Sequence, residues 1–241
     1  MKLAVSKYLS KKLSDGPWYL DPKPNVSFKY ALVVPVFNEI GYIEKLVDSI
    51  MEQDKSILNK TAIVFVVNNS SSDCAEIVDA NTQVIKYIKS LKKTFFLVDA
   101  SSSGRELPEK YAGVGLARKL GTDLILEYMT IDSILLYTDA DVVLSKNYLT
   151  YIDNYYRKKV HSKAAVVSFL HQKTSNRKIN SIIRDYERYL YATAAKISKT
   201  GSPYGYIAIG SCITCRFEAY VAVGGMNKKK ATEDFYFLNE L

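Results

Sequence analysis

The sequence predicts an α/β protein with a mostly parallel central sheet and helices on both of its faces. Three features support this: short apolar runs recur along the chain, segments with helical spacing separate them, and the connections are short. A continuous apolar run is typical of a strand buried on both faces. Strands that alternate with helices build a parallel sheet, so a Rossmann-like arrangement is expected, with ligands at the carboxyl ends of the strands.

The first strand is predicted over residues 30–37, and Pro35 should lie near its end because proline cannot donate to a neighbouring strand. Residues 40–51 follow with apolar side chains at helical spacing. Three more strand–helix units and a further strand come next. The predicted strands cover residues 61–67, 94–98, 133–137 and 164–170, and the predicted helices cover residues 77–91, 114–125 and 149–156.

The two ends of the chain look different from this regular middle. Residues 1–29 are predicted to be irregular, because Pro- and Gly-containing turn signals such as Asp21-Pro22 interrupt them. After the strands, one long helix is predicted over residues 176–199, extended chain over 204–225, and a last helical segment from Glu233. We predict one continuous domain over residues 30–241.

Composition restricts the class of protein but does not define its function. The chain has 241 residues and is 48% hydrophobic, enough to bury a large core, and its net charge of +8 would attract anions. A solvated basic surface explains that charge equally well, and we predict no nucleic-acid partner. No apolar run has the length of a membrane-spanning helix. We therefore expect a cytoplasmic protein, with peripheral contact at the inner face of the membrane as an option.

The motif Asp139-Ala140-Asp141 directly follows the strand predicted over residues 133–137. Residues two apart in extended chain face the same side, so both carboxylates can converge on one point. Two adjacent carboxylates favour a cation between them, and such oxygen ligands suit Mn²⁺ or Mg²⁺. Taken alone, the motif is equally compatible with an acidic loop at the end of a strand.

Polar side chains also follow the first two strands, as Asn38-Glu39 and as residues 68–73. At the ligand edge of the sheet they could bind a base and a ribose, although Ser72 or Asp73 could instead cap the next helix. Arg118-Lys119, on the third helix, could meet phosphate or base or form a solvated face. Glu233-Asp234 could simply complement a helix dipole, or supply a general base.

Taken in this order, the motifs resemble glycosyltransferase family 2. The resemblance implies a GT-A fold and inverting transfer of a sugar from a nucleoside-diphosphate sugar, usually of the uridine type, to an acceptor hydroxyl, in polysaccharide or glycoconjugate synthesis. The segments that carry it, within residues 30–241, are Val33–Glu39, Val67–Asp73, Gly115–Gly121, Tyr137–Asp141, Val223–Met226 and Thr232–Asp234.

The resemblance also implies roles for individual residues. It divides the domain into a nucleotide-sugar-binding half, residues 30–145, and an acceptor-side half, residues 146–241, which would receive a sugar or a lipid-linked acceptor. Asp234 would deprotonate the acceptor hydroxyl, and Asp141 would hold Mn²⁺ or Mg²⁺ on the diphosphate with help from Asp139. The residues implied to bind the nucleotide sugar are Pro35, Phe37, Glu39, Asn68, Arg118, Lys119 and Asp139.

The sequence departs from the family pattern at three places. Asn68 stands where the family commonly has Asp, and Lys119 stands where Asn is common. The chain ends at Leu241, seven residues after Asp234, where family members usually continue. We therefore expect a chain that is truncated at its C-terminus or that relies on another segment.

Two other functions remain open from the sequence. Asp139 after an apolar strand also fits the first motif of haloacid-dehalogenase-like phosphatases, in which it would be the nucleophile. That family usually places the motif on its first strand, whereas three strand–helix units precede it here. The second alternative is a non-catalytic nucleotide-sugar-binding module. A related nucleotidyltransferase would need a Gly-rich loop after the first strand, which Phe37-Asn38-Glu39 does not provide.

Overall fold

A computed structural model of the protein describes residues 2–12, 16–91 and 95–241. Its centre is a six-stranded sheet. The strands are β1 (Phe28–Val36), β2 (Thr61–Asn68), β3 (Phe96–Ala100), β4 (Met129–Tyr137), β5 (Ala164–Val166) and β6 (Ile213–Arg216). The helices are α1 (Lys2–Lys12), α2 (Ile43–Met51), α3 (Lys55–Leu58), α4 (Ala75–Ser90), α5 (Val114–Ile125), α6 (Tyr148–Lys158), α7 (Arg177–Lys199), α8 (Phe217–Ala222) and α9 (Glu233–Glu240).

The strands lie in the order β3-β2-β1-β4-β6-β5. The first four are parallel to one another, whereas β6 runs antiparallel to both β4 and β5. This confirms the predicted α/β class with its mostly parallel sheet. Because β1, β2 and β4 are neighbours and point the same way, the loops that follow them meet at one edge of the sheet.

Each face of the sheet carries its own hydrophobic core. On one face, Val33 and its neighbours pack against α5, α8 and Phe237. On the other face, Leu32 and its neighbours pack against α2, α4 and α6. Helix α5 lies close to the strands, since a Cβ atom on Gly121 would lie 2.6 Å from the side chain of Val66. Burial of each large aliphatic side chain contributes about 1.5–3 kcal/mol to the stability of this arrangement.

The N-terminal prediction was wrong in part, because α1 occupies much of the segment expected to be irregular. A tertiary contact accounts for it: Tyr8 is buried, and its hydroxyl donates a 2.9 Å hydrogen bond to Oδ1 of Asp123. Such a contact leaves no signature in the local sequence. The parts of the predictions that fall on residues 1, 13–15 and 94 lie outside the described residues.

Two further predictions were wrong at their boundaries. The strand expected over residues 164–170 ends at Val166, because its partner β6 begins at Ile213 and provides no further ladder residues. The extended chain expected over residues 204–225 is interrupted by α8. Positive φ angles at Gly224 and Gly225 end that helix, in the manner of a glycine C-cap.

No helix among the described residues is both long enough and apolar enough to cross a membrane.

Candidate functional site

A cleft of about 820 Å³ opens at the edge of the sheet where β1, β2 and β4 end. The amino-terminal part of α5 and the loop that leads into α9 form its other walls. Of the residues predicted to form the site, it brings together Pro35, Phe37, Glu39, Asn68, Arg118, Asp139, Asp141 and Asp234.

Asp139 and Asp141 both line this cleft, although Ala140 and Asp141 form a turn and not the extended chain from which their convergence was predicted. Ala140 is buried in the core beneath the turn, whereas Asp139 retains 39% of its side-chain surface and Asp141 is exposed. The packed alanine anchors the backbone, so the two carboxylates are held at the cleft by a rigid strand end.

The carboxylates in the cleft repel one another. Partial burial raises the pKa of Asp141, and the charge of Asp139 raises it further. Burial likewise raises the pKa of Glu39, and the charges of Asp141 and Asp139 add to that effect. A divalent cation at this place would offset the repulsion and favour the ionised forms.

The protein groups around the motif do not form a closed metal cage. Among the described residues, no three His, Cys, Asp or Glu side chains come together as a metal-binding group. Mg²⁺ is commonly held by one or two carboxylates together with substrate phosphates and water, and Mn²⁺ accepts the same oxygen ligands. Asp139 and Asp141 therefore fit an ion that is bound jointly with a diphosphate, and fit poorly an ion held by protein alone.

Arg118 joins the Asp139-Ala140-Asp141 turn, called the D-A-D turn below, to the start of α9. Its guanidinium is buried and forms ion pairs with Asp139 and with Glu233, which is also buried. Burial raises the pKa of Glu233, while Arg118 counteracts that rise. The backbone packs closely on this group, since any side chain at position 210 in place of glycine would collide with the guanidinium. Arg118 therefore fixes two acidic segments of the cleft relative to each other.

Lys119 does not lie in the cleft, in contrast to its prediction as a nucleotide-binding residue. Its side chain is buried, and its Nζ donates 2.5 Å and 2.9 Å hydrogen bonds to Asp123 Oδ2 and Tyr8 Oη. Tyr220 donates to the same Asp123 carboxylate. Adjacent residues of a helix point about 100° apart, so Arg118 and Lys119 cannot both face the cleft.

Asn81, on α4, is a positioning residue that the sequence reasoning missed. Its side chain is fully buried, and its Oδ1 accepts a 3.0 Å hydrogen bond from the backbone N–H of Asn38. Its Nδ2 donates to the carbonyl of Asn68 and to Oδ1 of Asn69. Asn81 thus ties the ends of β1 and β2 together. A polar residue in the apolar phase of that helix, between Ile77 and Val84, was the available signal.

The side of the cleft formed by the ends of β1 and β2 combines an aromatic ring with an unpaired acceptor. Phe37 is exposed at the cleft, whereas Asn68 is buried at the end of β2. No hydrogen bond partner for the buried Oδ1 of Asn68 is found among the described residues. A buried acceptor without a donor costs free energy, so this oxygen would be satisfied by a ligand N–H or O–H group.

Asp234 also lines the cleft, in the first turn of α9, and is partly exposed. The loop before it contacts the amino terminus of α5 closely, because a Cβ atom at Gly113 would lie 3.1 Å from the backbone of Lys230. Thr232, immediately before α9, has the left-handed φ angle of 60°, which is uncommon for a residue with a branched side chain. The packed loop thus determines where Asp234 stands.

Comparison with known proteins agrees with this geometry. Residues 31–98, which span β1 to β3, match the profile of Glycosyl transferase family 2. S. aureus TarS 1-349 has a similar structure, with a TM-score of 0.57 and 16% identity over 88% of this chain and 55% of TarS. Its complex with UDP gives a TM-score of 0.56 with the same identity, and the match covers 88% of this chain and 54% of that one.

A second solved structure resembles the chain as well. The mannosyltransferase PcManGT from Pyrobaculum calidifontis, in complex with GDP-Man and Mn²⁺, gives a TM-score of 0.51 at 19% identity. That match covers 98% of this chain and 56% of PcManGT. The chain therefore spans about half the length of the solved structures it matches. No curated protein sequence matches the chain.

The class of protein follows from the sheet and its cleft: the fold is GT-A. The profile match covers the region of the first three strands, residues 31–98, and over that part of the chain the predicted resemblance to glycosyltransferase family 2 is confirmed.

Proposed function

We propose that this protein is a metal-dependent, inverting glycosyltransferase that moves a sugar from a nucleoside-diphosphate sugar of the uridine type to an acceptor hydroxyl. The observation that carries the proposal is the convergence of the D-A-D carboxylates, Asn68 and Asp234 on one cleft. The complexes of TarS with UDP and UDP-GlcNAc, and of PcManGT with GDP-Man and Mn²⁺, support it because those proteins share the fold.

In this proposal the base lies against Phe37 and Pro35, with Asn68 as its polar contact. An aromatic face with one correctly placed acceptor is a common way to orient a heterocycle. Glu39, beside the D-A-D turn, would lie near the ribose and diphosphate side. The unpaired Oδ1 of Asn68 would accept a hydrogen bond from a base N–H.

Asp139 and Asp141 would hold Mn²⁺ or Mg²⁺ against the donor diphosphate. Such an ion neutralises charge that develops on a leaving nucleoside diphosphate. Arg118 pairs with Asp139 and Glu233, so in this proposal it orients these carboxylates. Arg118 also lines the cleft, and its contact with the nucleotide sugar stays a prediction.

Asp234 would accept the proton of the acceptor hydroxyl as that oxygen attacks the anomeric carbon. It lines the cleft from the first turn of α9, and in this proposal that part of the cleft receives the acceptor. Its neighbour Glu233 is bound by Arg118, so the two carboxylates of the pair have separate tasks.

The acceptor is proposed to be a sugar or a lipid-linked sugar in polysaccharide or glycoconjugate synthesis. We propose a cytoplasmic location with peripheral contact at the inner face of the membrane. In this proposal the two halves of the domain have different roles: residues 30–145 bind the donor, and residues 146–241 bind the acceptor.

Calorimetric titration of UDP in the presence and absence of Mn²⁺ tests the donor site. The wild-type protein should bind UDP more tightly with Mn²⁺, and Asp141→Ala should abolish that dependence. Asp79→Ala is a matched control, because Asp79 is exposed on α4 and does not line the cleft. Metal-dependent binding that survives in Asp141→Ala would remove Asp141 as the metal ligand.

Asp234→Asn tests the base and separates an enzyme from a binding module. The variant should bind UDP with Mn²⁺ as the wild type does, yet lose transfer in an assay of UDP release from UDP-sugars. Full transfer by Asp234→Asn would exclude Asp234 as the base. Binding without any transfer by the wild-type chain would favour the non-catalytic module.

The phosphatase alternative receives no support from the site. Its nucleophile would be Asp139, which is held by Arg118 at the end of the fourth strand. A phosphoryl group trapped on Asp139 would be the result that restores it.

A further inference from the structure

Helix α7 is attached to the rest of the protein along one side. It has 23 residues, and its buried residues are Glu187 and Ala194. The Tyr191 hydroxyl bonds to the backbone of Phe169, and Glu187 accepts a 2.6 Å hydrogen bond from the backbone N–H of His171. These contacts join α7 to the segment that leads from β5 to it and define its inner side.

A second side of α7 is apolar and exposed. Five of its large apolar residues expose between 38% and 64% of their surface to solvent. At 100° per residue they fall within one stripe about 80° wide, beside the attached side rather than on it. We call this set the α7 stripe: Ile179, Ile182, Tyr186, Tyr189 and Ile197. Contiguous exposed apolar surface of this kind marks an interaction site.

The same helix carries an excess of positive charge. Its sequence contains six Lys or Arg residues and two acidic residues. Of the two acids, Glu187 is buried and paired with Arg184, so it offers little negative charge to solvent. Lys178 and Lys196 fall at the outer edge of the α7 stripe, next to Tyr189 in helical projection.

We infer that the α7 stripe docks on an anionic membrane surface. A basic amphipathic helix with aromatic residues on its apolar side is the pattern of an interfacial helix. Tyrosine suits that position because its ring is apolar and its hydroxyl is polar, and lysine stems can extend from the apolar stripe to phosphate headgroups. The net charge of +8 would add attraction to the same surface.

Charge also argues against a second copy of this chain as the occupant. A symmetric dimer through the α7 stripe would bring two basic helices together, and like charges across an interface disfavour association. An anionic lipid surface satisfies both the apolar stripe and its lysine border.

Membrane docking would place the cleft close to the lipid. Gln172 lies in the segment between β5 and α7, and its Nε2 donates a 2.8 Å hydrogen bond to the backbone carbonyl of Asp141. The same segment is bound to α7 through His171 and Glu187. This consequence rests on the proposed function: a lipid-linked acceptor could reach the cleft without leaving the membrane.

Vesicle flotation tests the inference with the full chain. Vesicles of phosphatidylcholine mixed in equal parts with phosphatidylglycerol should carry the wild-type protein upward, whereas vesicles of phosphatidylcholine alone should not. Raising the salt concentration should weaken the binding, because screening shortens the reach of the charges. The double variant Ile182→Asn with Tyr189→Asn should bind the anionic vesicles about tenfold more weakly, since it removes apolar contact from the stripe.

The matched control is Tyr151→Asn with Val160→Asn, which replaces comparably exposed apolar residues outside α7. It should float like the wild type. Equal flotation of the stripe variant and the control would overturn the inference. Failure of the wild-type protein to float with the anionic vesicles would overturn it as well. A dimer, detected by light scattering and dissolved by the stripe variant, would assign the stripe to self-association instead and overturn membrane docking. UDP binding with Mn²⁺ should be unchanged in both variants, so failure of the docking inference is distinguishable from failure of the proposed function.

Discussion

Arg118 and Lys119 are neighbours on α5, yet they belong to two different ionic clusters. Arg118 pairs with Asp139 and Glu233, which come from the end of β4 and the start of α9. Lys119 pairs with Asp123, one turn further along its own helix, and with the hydroxyl of Tyr8 from α1. Both cations are buried, but Asp139 is 39% exposed whereas the side chain of Asp123 is fully inaccessible.

The difference in access separates a responsive cluster from a structural one. A ligand can reach Asp139 and alter its charge balance with Arg118, so this cluster can participate in binding. The Lys119 cluster is closed, and it joins α1, α5 and α8 through Tyr8, Asp123 and Tyr220. A buried ion pair of that kind is costly to break from one side, because the remaining charge is left buried without its partner.

The largest expected effect is on stability, from Lys119→Met. Removal of one partner leaves the buried Asp123 carboxylate without its cation, which costs about 3–5 kcal/mol of unfolding free energy. Urea denaturation should show this loss, whereas UDP binding by the folded protein should be unchanged. Lys89→Met is the control, because Lys89 forms a solvent-exposed pair with Asp21 whose loss costs only about 0–1 kcal/mol. A loss of nucleotide binding in folded Lys119→Met would break the distinction between the two clusters.

Arg118→Met should reduce both stability and binding. UDP binding with Mn²⁺ is expected to weaken about tenfold, because Asp139 loses the group that orients it. Calorimetry of the wild type, Arg118→Met and Lys119→Met under one set of conditions makes the comparison direct. Unchanged binding in Arg118→Met would show that Asp139 needs no such support.

The stability of Arg118→Met should also depend on pH in a defined direction. Burial already raises the pKa of Glu233 above its ordinary value, and removal of Arg118 takes away the opposing influence. At a pH between the pKa of Glu233 in the unfolded protein and its higher pKa in the folded variant, the folded variant binds more protons than the unfolded chain. The free energy of unfolding therefore falls as the pH rises through that range. The difference from wild type should therefore be smaller near about pH 5 than near about pH 7.5. Adding Glu233→Gln should flatten this dependence.

Tyr8→Phe should have the smallest effect. It removes the hydroxyl that donates to Asp123 and accepts from Lys119 while keeping the ring in place. A loss of about 1–2 kcal/mol is expected in thermal or urea unfolding, and UDP binding should be unchanged. The exposed Tyr151 provides the control variant Tyr151→Phe, which should match the wild type. If Tyr8→Phe lost as much unfolding free energy as Lys119→Met, the Tyr8 hydroxyl and not the Lys119–Asp123 ion pair would be the main contribution of this cluster to stability.

The regular part of the fold was predictable because its strands are buried on both faces. The apolar runs that became β1, β2 and β4 carry that information locally, and the residues after them belong to the ligand edge by topology alone. Helix α1 was not predictable, because its contacts with Asp123 and Lys119 involve residues more than a hundred positions away. Strand β5 was overpredicted, because its extent depends on the length of β6.

The candidate site shows the same division. The positions of Glu39, Asn68 and Asp141 at the cleft were predictable, because each follows a strand that was predicted from an apolar run. Lys119 was misassigned because almost every residue of α5 is buried, so polarity does not show which side of that helix faces the cleft. The ion pair between Arg118 and Glu233 was missed for a related reason, since the two residues meet only through the packing of the loop before α9 on α5.

The central claim is that the D-A-D carboxylates hold a cation together with a nucleoside diphosphate. A crystal grown with UDP and Mn²⁺, measured at a wavelength where manganese scatters anomalously, tests it most directly. The account predicts an anomalous peak in the cleft, within bonding distance of Asp141 and of diphosphate oxygens, with the base beside Phe37 and Asn68. Bound UDP with no manganese peak at Asp139 or Asp141, or a peak elsewhere on the protein, would contradict it.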